Sequence, residues 1–194
     1  KKSNKNFINR GTYLITGGLG GIGYLLAQYL VKNYRVNLIL WGRSNLDEGR
    51  KRKIELLSNY GKVIYQKTSL NDSYELKKLL VNAKEQLSIR NIDGVFHLAG
   101  VNNDSYIINK SIQDFEQVIE AKLWGTINLD EALENENLKH FVLFSSIISI
   151  FGNYGQADYA YANRFFFLFF LFRNNLVIEI IRYVLTILIN WLLC

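Results

Sequence analysis

Thr16-Gly17-Gly18-Leu19-Gly20-Gly21-Ile22-Gly23 stands between an apolar run, Tyr13-Leu14-Ile15, and a helix-patterned stretch, Tyr24-Leu25-Leu26-Ala27-Gln28-Tyr29-Leu30. That order reads as a strand, a glycine turn and the start of a helix. Glycine suits the turn because the chain must adopt backbone angles that a Cβ forbids. It also lets a phosphate group approach bare N–H groups at the positive end of the helix. Five glycines in seven positions satisfy both G-x-G-x-x-G and the wider G-x-x-x-G-x-G. A glycine-rich turn with no ligand would carry the same letters, but the strand before it and the helix after it favour a dinucleotide cradle.

The chain has 194 residues, 49% of them hydrophobic and 21% charged, which is the composition of a globular domain able to bury a core. Its single cysteine, Cys194, excludes an internal disulfide framework, and the polar start KKSNKNFINR has no signal-peptide pattern. A reducing, cytoplasmic setting is expected. The net charge of +6 is spread along the chain, and the one dense cluster, Arg50-Lys51-Arg52-Lys53, lies on a helix-patterned face. A solvated surface accounts for it, so nucleic acid is not an expected partner. No metal site is expected either. The absence of methionine implies a piece of a longer chain.

Strand candidates recur at 12–16, 36–41, 62–66, 92–98, 141–146 and 185–191. Between them lie helix-patterned segments at 21–33, 46–60, 72–88 and 111–134, with another beginning near Ala157. This βαβ rhythm predicts an α/β fold, a Rossmann-type doubly wound parallel sheet with helices on both faces, occupying residues 1–194 as one domain. The stretch Phe165-Phe166-Phe167-Leu168-Phe169-Phe170-Leu171-Phe172 has no polar face. Arg173, Asn174, Asn175, Glu179 and Arg182 interrupt the apolar residues beyond it, and no run approaches the roughly 20 apolar residues that span a bilayer, so no membrane anchor is expected.

Twenty residues after Gly23 the chain reads Trp41-Gly42-Arg43-Ser44, at the end of the second strand. An acid there would hold a ribose hydroxyl, whereas an arginine accommodates a 2′-phosphate, so the cofactor implied is NADPH. Phe141-Val142-Leu143-Phe144-Ser145-Ser146 ends a strand on two hydroxyls. Tyr159 stands thirteen residues after Ser146, and Asn163 is one helical turn further on, on the same face. A phenol titrates near pH 10, so it needs a neighbouring cation to act as a proton donor at neutral pH. Lys122 is a candidate, in line with Phe115, Ile119 and Thr126 on a helix stripe that should face the sheet. An ammonium that snorkels to water past an apolar stem is the alternative. His97, at a strand end, reads as a satisfied buried histidine.

These pieces in this order resemble the short-chain dehydrogenase/reductase superfamily and, more closely, the ketoreductase domain of modular polyketide synthases. The matching segments are Gly11 to Ile15 with TGGLGGIG, Trp41-Gly42-Arg43-Ser44, Phe96-His97-Leu98-Ala99-Gly100-Val101, Ala121-Lys122, and Phe144-Ser145-Ser146 with Gly152-Asn153-Tyr154-Gly155-Gln156-Ala157-Asp158-Tyr159-Ala160-Tyr161-Ala162-Asn163. They cover about residues 8 to 163. Most short-chain reductases carry a lysine four residues after the tyrosine. Here Asn163 stands there and a lysine lies on the preceding helix, an exchange characteristic of polyketide-synthase ketoreductases.

The resemblance implies a tetrad. Tyr159 would protonate the nascent alkoxide, Ser146 would hydrogen-bond the carbonyl oxygen, and Lys122 with Asn163 would position the ribose and lower the pKa of the phenol. Ser145 would be structural. The cofactor would rest on Thr16, Gly17, Gly18, Leu19, Gly20, Gly21, Ile22 and Gly23, on Arg43 and Ser44, on Ser69 and Leu70, on Ala99 and Gly100, and on Lys122, Tyr159 and Asn163. The family usually has an acid near the adenine where this chain has Ser69, with Asp72 three positions on. Of the family's Leu-Asp-Asp fingerprint only Asp104 survives, and position 151 is Phe where the opposite class shows Trp, a pattern similar to the B-type that gives a D-hydroxy product.

The activity implied is NADPH-dependent reduction of a 3-oxoacyl thioester on an acyl carrier protein to the 3-hydroxyacyl thioester, beside neighbouring polyketide synthase domains. A non-catalytic Rossmann scaffold and a free-standing reductase of small ketones are the alternatives. Family members continue into a substrate lid and a further strand and carry an upstream cofactor-free half. The isolated chain is therefore expected to be a poor catalyst and to self-associate through its phenylalanine-rich helix.

Overall fold

The computed structural model describes residues 7–174. The chain order is β1 (Thr12–Thr16), α1 (Gly21–Tyr34), β2 (Asn37–Gly42), α2 (Glu48–Ser58), β3 (Val63–Lys67), α3 (Ser73–Leu87), β4 (Gly94–His97), α4 (Ile112–Ile119), α5 (Gly125–Ala132), β5 (His140–Leu143), α6 (Ile148–Phe151) and α7 (Ala157–Asn174). A 3₁₀ turn covers Ile107–Asn109 and a π-helical turn covers Glu120–Trp124. The strand expected at 185–191 lies outside the described residues. Two compact units result among the described residues, one of 7–100 with 124–143, the other of 101–123 with 144–174.

The first unit is a five-stranded parallel sheet in the order β3-β2-β1-β4-β5. This is the Rossmann order, with the first strand central. Register explains the core. Ile64, Ile39, Leu14, Val95 and Phe141 stand opposite one another across the five strands. Because side chains alternate along a strand, the row falls on one face. It packs with Leu76, Leu80, Ala83 and Leu87 of α3 and with Leu129 and Ala132 of α5. Tyr13, Ile15, Leu38 and Leu40, one residue out of phase, are fully buried on the opposite face. Near the amino end of β1, the ring of Phe7 packs edge-on to Tyr13, Tyr34, Phe96 and His140, with centroids 5.3 to 5.9 Å apart.

Helix boundaries follow their caps. Asp47 accepts from the Arg50 N–H at 2.8 Å and starts α2, while Asp72 accepts from Tyr74 N–H at 2.8 Å and starts α3. Arg35 and Ser88 end α1 and α3 in the left-handed conformation. Strand β5 is shorter than the sequence suggests because its partner β4 ends at His97, opposite Leu143. Phe144 to Ser146 thus leave the sheet.

In the second unit α7 packs against both α4 and α6. The helix expected to run unbroken over 111–134 is interrupted by the π turn at 120–124. A wider turn inserts a residue and rotates the side chains after it relative to a continuous α-helical stripe.

The junction of β1 with α1 is closely packed. A Cβ on Gly23 would lie 2.3 Å from the Gly17 carbonyl oxygen, whereas one on Gly21, two residues earlier, would meet nothing within 4 Å. Gly23→Ala is expected to lower stability by about 1–3 kcal/mol, and Gly21→Ala to be neutral or to stabilise by up to about 1 kcal/mol. Urea unfolding of the two variants checks this; equal midpoints would show the turn to be looser than described.

Candidate active site

At the carboxyl edge of the sheet, Gly17 turns the chain with φ +69° and α1 begins at Gly21 after an extended Gly20. No side chain caps this helix. The first turn of a helix holds N–H groups without intrahelical partners and carries positive partial charge. Gly20, Gly21 and Ile22 are exposed, so those donors sit at an open surface. A pyrophosphate fits this arrangement, in charge and in the room left by the missing Cβ atoms. Gly18 and Leu19 are buried in the turn, and Lys53 of α2 donates to the Leu19 carbonyl at 3.1 Å.

Thr16 points inward. Its hydroxyl oxygen accepts from the N–H groups of Leu98 and Ala99 at 3.2 and 3.1 Å. Its one hydrogen is therefore directed at His97 Nδ1, 2.6 Å away, which assigns Nδ1 as an acceptor. His97 is fully buried, as a structural histidine should be. The bonds hold the β4 exit, Ala99 and Gly100, beside the end of β1.

The other strand ends supply the remaining residues of this unit. Arg43 and Ser44 follow β2 directly and both are exposed. The Arg43 guanidinium has no ion-pair partner among the described residues. Tyr65 donates its hydroxyl to the Ser44 carbonyl at 2.6 Å and steadies the loop. Ser69 is exposed after β3, and Leu70 takes a left-handed φ of 63° with its carbonyl held by the Asn128 side chain at 2.9 Å. Asp72 is engaged as the cap of α3.

The second unit gathers the tetrad candidates. Lys122, on the π turn, is 4% exposed, and its Nζ donates to Asn163 Oδ1 at 3.0 Å and to the Phe144 carbonyl at 3.1 Å. The snorkelling alternative fails, because the ammonium is turned inward. Asn163 is fully buried and donates back through Nδ2 to the Tyr159 carbonyl at 2.8 Å. Lys122 Nζ lies 5.6 Å from the centroid of the Tyr159 ring and 4.2 Å from that of Phe166. Burial is the largest influence on this lysine and lowers its pKa from 10.5 to about 7.

Ser145 donates to the Asn163 carbonyl at 3.1 Å, the structural part expected of it. Ser146 Oγ accepts from the Ile148 N–H at 3.3 Å and keeps its own hydrogen for another acceptor. The structure thus joins Lys122, Asn163 and the backbone of Tyr159 in one hydrogen-bonded chain, with Ser146 close in sequence to its Phe144 anchor. The Phe144 carbonyl and the Phe166 ring were not legible as Lys122 partners, although Phe166 lies seven residues beyond Tyr159 on the same helical face. An extra pair, Lys110 with Asp158, has no sequence signal, since the two are far apart in the chain.

No helix among the described residues is long and apolar enough to cross a membrane. The KR domain family profile matches residues 11–188. Polyketide synthase PksM of Bacillus subtilis (strain 168) is 41% identical over 174 residues, covering 89% of this chain and 4% of that protein. The 6-methylsalicylic acid synthase AOL_s00215g283 of Arthrobotrys oligospora is 35% identical, covering 85% of this chain and 10% of that protein. Among solved structures, an N-terminal ketoreductase from the macrolactin assembly line aligns with TM-score 0.81 and 40% identity, over 89% of this chain and 35% of its own. A ketoreductase domain from the bacillaene assembly line aligns with TM-score 0.81 and 36% identity, over 85% of this chain and 40% of its own. The chain therefore spans a small part of these synthases and well under half of the solved ketoreductases. Motif order, sheet topology and these likenesses agree: the chain belongs to the KR domain family, the ketoreductase domains of polyketide synthases.

Proposed function

We infer that this chain reduces the 3-oxo group of an acyl thioester carried on an acyl carrier protein, using NADPH, within a polyketide synthase. The observation that carries the reading is the buried Lys122 ammonium bonded to Asn163, one helical turn from Tyr159. Reduction adds a hydride to C3 and a proton to its oxygen, and bound NADPH supplies the hydride. Tyr159 gives its phenolic proton to that oxygen. Ser146 donates a hydrogen bond to the same oxygen as negative charge develops. Lys122 stabilises the charge left on the phenol and, with Asn163, holds the ribose hydroxyls. Gly17 to Gly23 take the pyrophosphate, Arg43 and Ser44 the 2′-phosphate, Ser69 and Leu70 the adenine side, and Ala99 and Gly100 line the β4 exit. On the pattern of Asp104 and Phe151 the product is the D-hydroxy isomer.

Cofactor choice rests on Arg43. Fluorescence titration should show tighter binding of NADPH than of NADH, and Arg43→Ala should bring the two together. Equal affinities in the native chain would remove the 2′-phosphate site.

Proton transfer rests on Tyr159. General acids contribute roughly 10²–10⁴-fold, so Tyr159→Phe should lower turnover of a 3-oxoacyl thioester by that order and leave NADPH binding nearly unchanged. Consumption of NADPH with the thioester and with a simple ketone is the measurement. Full turnover in the variant would discard the tetrad, and preference for the ketone would favour a free-standing reductase.

The buried lysine also makes a stability prediction. Between pH 7 and 10.5 the unfolded chain keeps the Lys122 proton that the folded chain has released, so the contribution of this group to stability rises with pH across that window. Below pH 7 the ammonium stays charged in both states and its burial opposes folding in full. Thermal unfolding of Lys122→Met beside the native chain should show the variant's relative stability declining as pH rises from 7 to 10. A constant difference would mean that Lys122 titrates as an exposed amine.

A further inference from the structure

Asp158 immediately precedes Tyr159 and is almost completely buried. Its Oδ2 lies 2.6 Å from Lys110 Nζ, and both side chains are only 2% exposed. The other carboxylate oxygen, Oδ1, accepts from the Tyr159 amide at 2.9 Å. Lys110 also donates to the Asn103 carbonyl at 2.5 Å. Two more bonds join the same pair of segments. Ser105 N–H donates to the Gly155 carbonyl at 2.9 Å, and Gln156 Nε2 donates to Asp104 Oδ2 at 2.8 Å.

A buried ion pair is a poor device for stability alone, because desolvating two charges offsets most of their attraction and apolar replacements often do as well. An apolar pair could not accept the Tyr159 N–H. Ala160 N–H bonds to the Gln156 carbonyl at 2.8 Å, which places the Tyr159 amide in the first turn of α7. That N–H has no partner within the helix, and negative charge at this end is favoured by the helix dipole.

We propose that Asp158, whose buried charge Lys110 balances, is a positioning residue for the reduction: its side-chain oxygen clamps the backbone of Tyr159 in the first turn of α7 and so fixes where its phenol is presented. The proposal rests on Tyr159 as the proton donor. Two double variants isolate the clamp. Lys110→Met with Asp158→Asn removes both charges and keeps an oxygen for the amide, while Lys110→Met with Asp158→Leu removes charges and acceptor together.

Amide hydrogen exchange at Tyr159 should remain slow in the Asn pair and become fast in the Leu pair, with NADPH affinity unchanged in both. Because a misplacement of about 1 Å costs on the order of a hundredfold, kcat for the thioester should fall between tenfold and a hundredfold in the Leu pair and recover in the Asn pair. A folded Leu pair with native exchange at Tyr159, or with native kcat, overturns the proposal. If the Leu pair does not fold, the Asn pair decides by itself: loss of Tyr159 protection or of kcat there, in a folded chain, shows that the acceptor oxygen is not what matters. A chain that turns over no thioester, or a Tyr159→Phe variant that turns it over fully, fails the ketoreduction reading instead, and the exchange contrast then judges the clamp alone.

Discussion

A lysine ammonium taken out of water must find oxygen acceptors or give up its proton, and the second unit of this protein is organised around that requirement. Lys122 meets it with the Asn163 side-chain oxygen and the Phe144 carbonyl. Each partner comes from a different part of the chain. One bond fixes α7 one turn past Tyr159, and the other fixes the chain where it leaves β5. The acceptors keep the ammonium in place, but they do not fully replace water, and its pKa falls to about 7.

The first unit obeys a different constraint. Parallel strands buried on both faces favour apolar runs, and β1 is buried at all five positions, with Tyr13, Leu14 and Ile15 between two threonines. Polar atoms at the strand ends must then be satisfied locally. Thr16 and His97 do this for one another and for the first residues after β4, so the glycine turn starts from a rigid platform. The turn itself is defined by the distance between Gly17 and Gly23, which admits hydrogen and little else.

Ketoreductase membership and local geometry support each other at particular residues. Lys122 and Asn163, paired in the sequence reading, are joined by one hydrogen bond between two helical segments. The segment Asn103 to Lys110 is tied to Gly155, Gln156 and Asp158 just before Tyr159. This loop and the start of the helix bearing Tyr159 thus form one connected piece.

Sequence alone determined the parallel α/β fold, because the alternation of apolar strands with helix-patterned segments permits little else, and it determined the glycine turn, because Gly17 and Gly23 stand where a side chain is not tolerated. Tyr159 and Asn163 were legible as neighbours since helical spacing is a local property. Tertiary structure decided the rest. Nothing in the spacing of Phe115, Ile119, Lys122 and Thr126 announces a π turn, and the end of β5 depends on where β4 stops. The inward turn of Lys122 depends on acceptors at Phe144 and Asn163, and the pairing of Lys110 with Asp158 joins residues 48 positions apart. Such contacts are energies between distant segments, which exist only once the chain has brought them together.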